Sequence, residues 1–165
     1  MRKYLWLVVI FIVAVAADQL TKIAVDNSFE LYETRSLFGS YFQLTYIRNA
    51  GAAFGISVGG PTIMFAATLL VTIILAYLFF KGMLRPEHAL GKAAVILVFA
   101  GAIGNIIDRI RLGEVIDFID MGVGLRRWPV YNFADIYVTI GMIVLFLTYA
   151  VSTEESKETS AELSD

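Results

Sequence analysis

Two aspartates, Asp117 and Asp135, lie eighteen positions apart in the segments Val115-Ile116-Asp117-Phe118 and Asn132-Phe133-Ala134-Asp135. Both fall between two long apolar stretches, so one short loop returns them to the same edge of a membrane. A carboxylate at a bilayer boundary is costly and is retained where it has a partner or a task. Two carboxylates that approach each other share a proton, because the charge of one raises the pKa of the other. Such a pair activates a water, the chemistry of an aspartic protease.

Further polar residues flank the pair. Gly101, Gly104, Asn105 and Asp108 recur at i, i+3, i+4 and i+7, one stripe of a helix. The glycines of that stripe read as close helix packing, with polar groups bonding across helices. Asn132, Asp135 and Thr139 form a second stripe. Asp108-Arg109 reads either as an ion pair capping a helix or as an arginine that orients a carboxylate or holds a substrate carbonyl or lipid phosphate. Asp18 and Lys22 stand at i,i+4 and read as a structural pair near the site. Asn49 is either a turn residue or a substrate-binding amide. Glu114 and Asp120 read as solvated loop charges. Burial of Asp117 beside Ile116 and Phe118, with a like charge nearby, raises its pKa, and the pair titrates as a unit.

The elements that position these residues follow from composition. The chain has 165 residues, 58% of them hydrophobic, well above the level of a soluble domain. It is an integral membrane protein of one compact domain. A net charge of -2 gives no basis for nucleic-acid binding. With no cysteine and one histidine, His88, a thiolate nucleophile, a histidine triad and an H-E-x-x-H zinc site are excluded, and no metal is expected.

Uncharged stretches run over Tyr4–Ala17, Pro61–Phe80, Ala93–Ile107 and Ile136–Thr153. The first and third, as helix, are roughly 21–23 Å long against a hydrocarbon core of about 30 Å, so each must carry its terminal aspartate, Asp18 or Asp108, to the boundary. Four spans, at about 4–24, 61–80, 91–109 and 133–151, place both termini on one side. Asp18, Asp108, Asp117 and Asp135 then gather on the opposite face. Arg2, Lys3 and the compact loop from Lys81 to Lys92 favour cytoplasmic termini. Arg2-Lys3, an apolar run and Ala14-Val15-Ala16 also describe a cleavable secretory signal, although the helical pattern continues through Lys22. Phe42, Leu44 and Tyr46 alternate with Gln43 and Thr45 as in a strand, Gly113–Ile119 suits another, and Asn49–Gly55 suits a turn with close backbone approaches. A small sheet at the active face would hold an extended peptide by backbone pairing. The acidic residues from position 152 onward read as a disordered tail.

These motifs together resemble lipoprotein signal peptidases, the bacterial signal peptidase II family. The matching blocks are Asp18-Gln19-Leu20-Thr21-Lys22, Asn49-Ala50-Gly51-Ala52-Ala53-Phe54, Gly104-Asn105-Ile106-Ile107-Asp108-Arg109, Gly113-Glu114-Val115-Ile116-Asp117-Phe118 and Asn132-Phe133-Ala134-Asp135. Tyr131 stands where the family often has phenylalanine. The resemblance implies four transmembrane helices with a small periplasmic β-cradle, segments 25–60 and 110–132 being periplasmic. It implies a cofactor-free, metal-free aspartic endopeptidase of the bacterial inner membrane, both termini cytoplasmic, which argues against signal cleavage. Its substrates would be prolipoproteins carrying a diacylglyceryl-cysteine, cut just before that cysteine, with membrane lipid as a further partner. Asp117 and Asp135 map to the catalytic dyad. Asn49, Asn105, Arg109 and Asn132 would line the site, with Asp18, Lys22 and Asp108 in support. A monomer is expected. A small proton- or cation-coupled transporter, with the same aspartates as a relay, is the alternative.

Overall fold

A computed structural model describes residues 4–50, nine positions between 63 and 77, and 89–162, with side chains through 149. Helix α1 (Leu5–Ser28) leads into a hairpin of β1 (Thr34–Phe38) and β2 (Phe42–Asn49). Helix α2 (Ala89–Leu112) is followed by β3 (Val115–Val123), β4 (Arg126–Arg127) and helix α3 (Phe133–Glu162). Within the expected 61–80 span the described positions are helical. The span as a whole, the turn after Ala50 and His88 lie outside the described residues.

Both α1 and α2 are long and apolar enough to cross a membrane. Their lengths exceed the uncharged runs because each helix continues past its aspartate, burying Asp18 and Asp108 completely. Outward-facing Val8, Val9, Ile12 and Val13 on α1 and Ile143, Phe146 and Leu147 on α3 are more than half exposed, as lipid-facing side chains would be. Helix α2 ends at Gly113, which takes φ +75°, the left-handed conformation a helix-terminating glycine adopts without strain, and donates its N–H to Arg109 O. Helix α3 continues through Glu162, into the stretch that composition assigns to a disordered tail. Its sequence after Gly141 holds no glycine or proline to stop it, and Glu154, Glu155, Lys157, Glu158 and Glu162 are good helix formers.

The four strands form one antiparallel sheet in the order β1-β2-β3-β4. The expected strand at 42–46 is the start of β2, and the expected strand at 113–119 is β3, which begins two residues later and ends four residues later. Helices α2 and α3 pack through Ala94, Val95, Val98 and Leu145. Gly101 and Gly104 make that approach possible. A Cβ on Gly101 would collide with Ala134 O, and one on Gly104 would lie 2.5 Å from Asp18 Oδ2. The end of α1 meets the sheet in a second cluster of Val25, Tyr46, Ile116, Phe118 and Ile119. The polar side chains lie between these two apolar layers.

Candidate active site

The start of α3 is built by Asn132 and Asp135. Asp135 N–H donates to Asn132 Oδ1 at 3.1 Å, and Asn132 N–H donates back to Asp135 Oδ2 at 3.2 Å. This is a reciprocal capping box, with asparagine and aspartate in the usual serine and glutamate roles. It satisfies two of the N–H groups a helix start leaves without partners. A third, Ala134 N–H, donates to Asp18 Oδ1 at 3.0 Å, so α1 helps cap α3.

The same asparagine reaches the second aspartate. Asn132 Nδ2 donates to Asp117 Oδ1 at 2.6 Å, and Asn49 Nδ2 donates to Asp117 Oδ2 at 2.9 Å. Asn132 is completely buried, and contacts Asp117 through its side chain while engaging Asp135 through side chain and backbone. Asp135 Oδ1 takes a further hydrogen bond from Asn105 Nδ2 at 2.9 Å. Asp117 and Asp135 are therefore bridged by one asparagine and buttressed by two more.

Burial holds Asp117, 2% exposed, in its protonated form, and the charge of Asp135 adds to this; its pKa is pushed up to about 7. Hydrogen bonds from Asn49 and Asn132 and the charge of Lys22 oppose the shift. The carboxyl group thus changes charge near neutral pH, where a proton-transfer group works best.

Beneath the pair lies a buried ionic layer. Lys22 Nζ meets Asp18 Oδ2 at 3.0 Å, Asp108 Oδ2 at 2.9 Å and Asn105 Oδ1 at 2.9 Å, which occupies all three of its protons. Gln19 Nε2 spans Asp18 Oδ2, Asp108 Oδ1 and Gly104 O. Asp108 Oδ2 also accepts Ile116 N–H, tying α2 to the strand that carries Asp117. Among the described residues no buried side-chain nitrogen or oxygen lacks a partner. Lys22 and Arg109 face Asp18, Asp108, Asp117 and Asp135, two positive charges against four carboxylates, so a proton on Asp117 relieves part of the excess.

The structure thus brings together Asp18, Lys22, Asn49, Asn105, Asp108, Arg109, Asp117, Asn132 and Asp135. Three expectations change. Asp108 pairs with Lys22, whereas Arg109 donates to Asn105 O and lies within electrostatic reach of Asp117 and Asp135. Adjacent residues on a helix point about 100° apart, so Asp108 and Arg109 serve different partners. Asp120 is not a solvated charge. It is 7% exposed and is held by Arg127 at 2.6 Å and by Thr45 Oγ1 at 2.7 Å, on a stretch of β3 that is buried at every position from Val115 to Asp120. Thr139 is exposed and stands apart from its stripe partners. Sequence reasoning passed over Gln19, inside the Asp18–Lys22 block, and Asp26, whose i+4 spacing from Lys22 marks the same face of α1. Among the described residues no group of three or more carboxylate or histidine side chains is placed to hold a metal.

Membrane-length helices beneath a small sheet, with one aspartate on the strand β3 and its partner at the start of α3, define a membrane aspartic peptidase. The family model for signal peptidase (SPase) II matches residues 10–151. A lipoprotein signal peptidase of Moorella thermoacetica is 40% identical over 136 residues, covering 81% of this chain and 85% of that one. One of Staphylococcus aureus is 35% identical over 151 residues, covering 92% and 91%. A bacterial membrane enzyme solved by the in meso method at 2.3 Å resolution is similar with a TM-score of 0.78 and 33% identity, over 90% of each chain. The chain belongs to the signal peptidase II family. None of these relatives supports the transporter alternative.

Proposed function

We propose that this protein cleaves the signal peptide from prolipoproteins whose cysteine carries a diacylglyceryl group, with Asp117 and Asp135 as the catalytic dyad. The observation that carries this reading is the Asn132 bridge, which holds a neutral-range carboxyl and a helix-capping carboxylate together in one site. Asp117 carries the proton of the resting pair. Asp135 accepts a proton from a water molecule, whose oxygen bonds to the scissile carbonyl carbon. Asp117 donates its proton to the carbonyl oxygen as the tetrahedral diol forms. Asp135 then gives its proton to the amide nitrogen, the diol returns a proton to Asp117, and the carbon–nitrogen bond breaks. The acid fragment leaves with the signal peptide, and the amine remains on the lipidated cysteine. Asn49, Asn105 and Asn132 fix the carboxylates, and Arg109 offsets their charge. Asp18, Lys22 and Asp108 lock α1 and α2 beneath the site.

The topology that fits is four spans, at about 4–24, 61–80, 91–109 and 133–151, in one peptidase domain of the bacterial inner membrane. The charge pattern supports cytoplasmic termini and a periplasmic active site. The sheet at that face would pair with an extended substrate, while lipid chains rest against the exposed apolar helix faces. The chain works as a monomer in this reading.

The test is cleavage of a purified diacylglyceryl-modified prolipoprotein by the purified protein beside Asp117→Asn and Asp135→Asn. Cleavage by the wild type alone, directly before the lipidated cysteine, is the expected result. No cleavage by folded wild type refutes the activity, and cleavage by either variant removes that aspartate from the dyad.

A further inference from the structure

Asn49 is the last residue of β2, so the aim of its amide depends on the strand end that carries it. That end follows an irregularity. Leu44 pairs with Ile119 and Ile47 with Asp117, three steps along β2 against two along β3. The extra residue is a bulge, and it falls beside Asp117. A bulge re-aims the side chains that follow, and although the ladder resumes with Ile47, Arg48 and Asn49 opposite Asp117, Ile116 and Val115, further contacts fix the angle at which this end leaves the bulge. The holding contacts lie on the other face of β2. Tyr46, 4% exposed, donates its hydroxyl to Asp26 Oδ1. Arg48 Nε donates to Tyr46 Oη at 2.7 Å, and its second amino nitrogen donates to Asp26 Oδ1 at 2.8 Å. Asp26 lies in the last turns of α1, on the stripe of Asp18 and Lys22. One helix face thus fastens both to α2 and to β2, and the chemistry proposed above uses none of these three residues.

We propose that Asp26, Tyr46 and Arg48 are positioning residues for the peptidase reaction, clamping the end of β2 to α1 so that the Asn49 amide meets the Asp117 carboxylate, a role that presupposes Asp117 as a dyad member. The groups that face Asp117 from the packed elements are Asn49 on β2, Asn132 and Asp135 at the start of α3, Lys22 on α1 and Arg109 on α2. Of these, Asn49 alone depends on the clamp. Its N–H favours the anion, so a drifting Asn49 makes Asp117 hold its proton to higher pH. Direct electrostatics acts the other way. Replacing Asp26 by asparagine deletes the negative charge that offsets Arg48, and this favours the Asp117 anion. The sign of the shift separates positioning from through-space charge.

The experiment is kcat/KM against pH on a diacylglyceryl-modified prolipoprotein, for wild type, Asp26→Asn, Tyr46→Phe, Asn49→Ala and the Asp26→Asn/Asn49→Ala double variant. Rates are normalised to the folded fraction measured at each pH, so partial loss of protein leaves the readout intact. Tyr46→Phe keeps the ring in the core while removing the hydroxyl link. In each single variant the alkaline limb is expected to move up by about half to one pH unit, the scale of one weakened hydrogen bond to a charged group. Asp26→Asn is expected to add no shift in the Asn49→Ala background. An unmoved or lowered limb in Asp26→Asn, an unmoved limb in Asn49→Ala, or full additivity in the double variant overturns the clamp. Wild type that does not cleave, or Asp117→Asn that does, overturns the dyad itself, whereas a working dyad with unmoved limbs overturns the clamp alone.

Discussion

Replacing Asp117 by asparagine is expected to abolish activity while making the protein more stable at alkaline pH. Asp117 has a reference pKa of 3.8 and a folded value of about 7, at 2% exposure. The difference of about three units, at ~1.36 kcal/mol each, amounts to about 4 kcal/mol. Because the folded value is raised, the native state holds a proton that the unfolded chain releases. The associated stability is fully present below about pH 4 and is lost as pH rises to about 7. Asparagine keeps the size and does not titrate. It offers one oxygen to the two donors Asn49 and Asn132, and its NH2 opposes the other, at a pH-independent cost of about 1–3 kcal/mol. The variant is therefore less stable than wild type at pH 4 and more stable at pH 8. The assay is thermal unfolding in detergent, followed by tryptophan fluorescence at both pH values and between. With about 2–4 °C per kcal/mol for a chain of this length, the difference curve should swing by on the order of ten degrees. A difference that stays flat from pH 4 to pH 8 refutes a desolvated Asp117 coupled to Asp135.

Other outcomes follow from the same contacts. Asp117→Asn and Asp135→Asn should each lower kcat by at least about 10²–10⁴-fold while the protein stays in the membrane, measured by cleavage of lipidated substrate. Lys22→Met strands Asp18 and Asp108 in a buried site and should destabilise by about 3–5 kcal/mol, with partial recovery when Asp108→Asn is added; denaturation in mixed micelles reads both. Gly101→Ala places a methyl group against Ala134 O and should cost about 1–3 kcal/mol in the same denaturation measurement. Asn132→Ala removes the helix cap and the bridge together. A loss of about 1 kcal/mol in stability with a far larger loss in kcat is expected, and proportionate losses would contradict a bridging role.

The sequence by itself determined the membrane character, the positions of the three helices described end to end, and which polar residues gather at the candidate site. These depend on local properties: the length of an apolar run, the charge that ends it, the i,i+4 spacing of Asp18 and Lys22. Strand alternation located β2, and β-branched content β3, within a few residues. The tertiary structure decided how the charged residues are partnered. Lys22 turns to Asp108 as well as Asp18, because α1 and α2 cross where Gly104 leaves room. Asp120 is buried against Arg127 through the hairpin of β3 and β4, and nothing in its neighbours along the chain announces that contact. The short β1 was likewise not anticipated, its residues lacking a buried face. Above all, Asn132 reaches both aspartates only because the helix start it caps lies beside the strand that carries Asp117. Local patterns name the groups that are costly to bury, but which group compensates which is fixed by distances between segments far apart in the chain, and those exist only once the helices have packed.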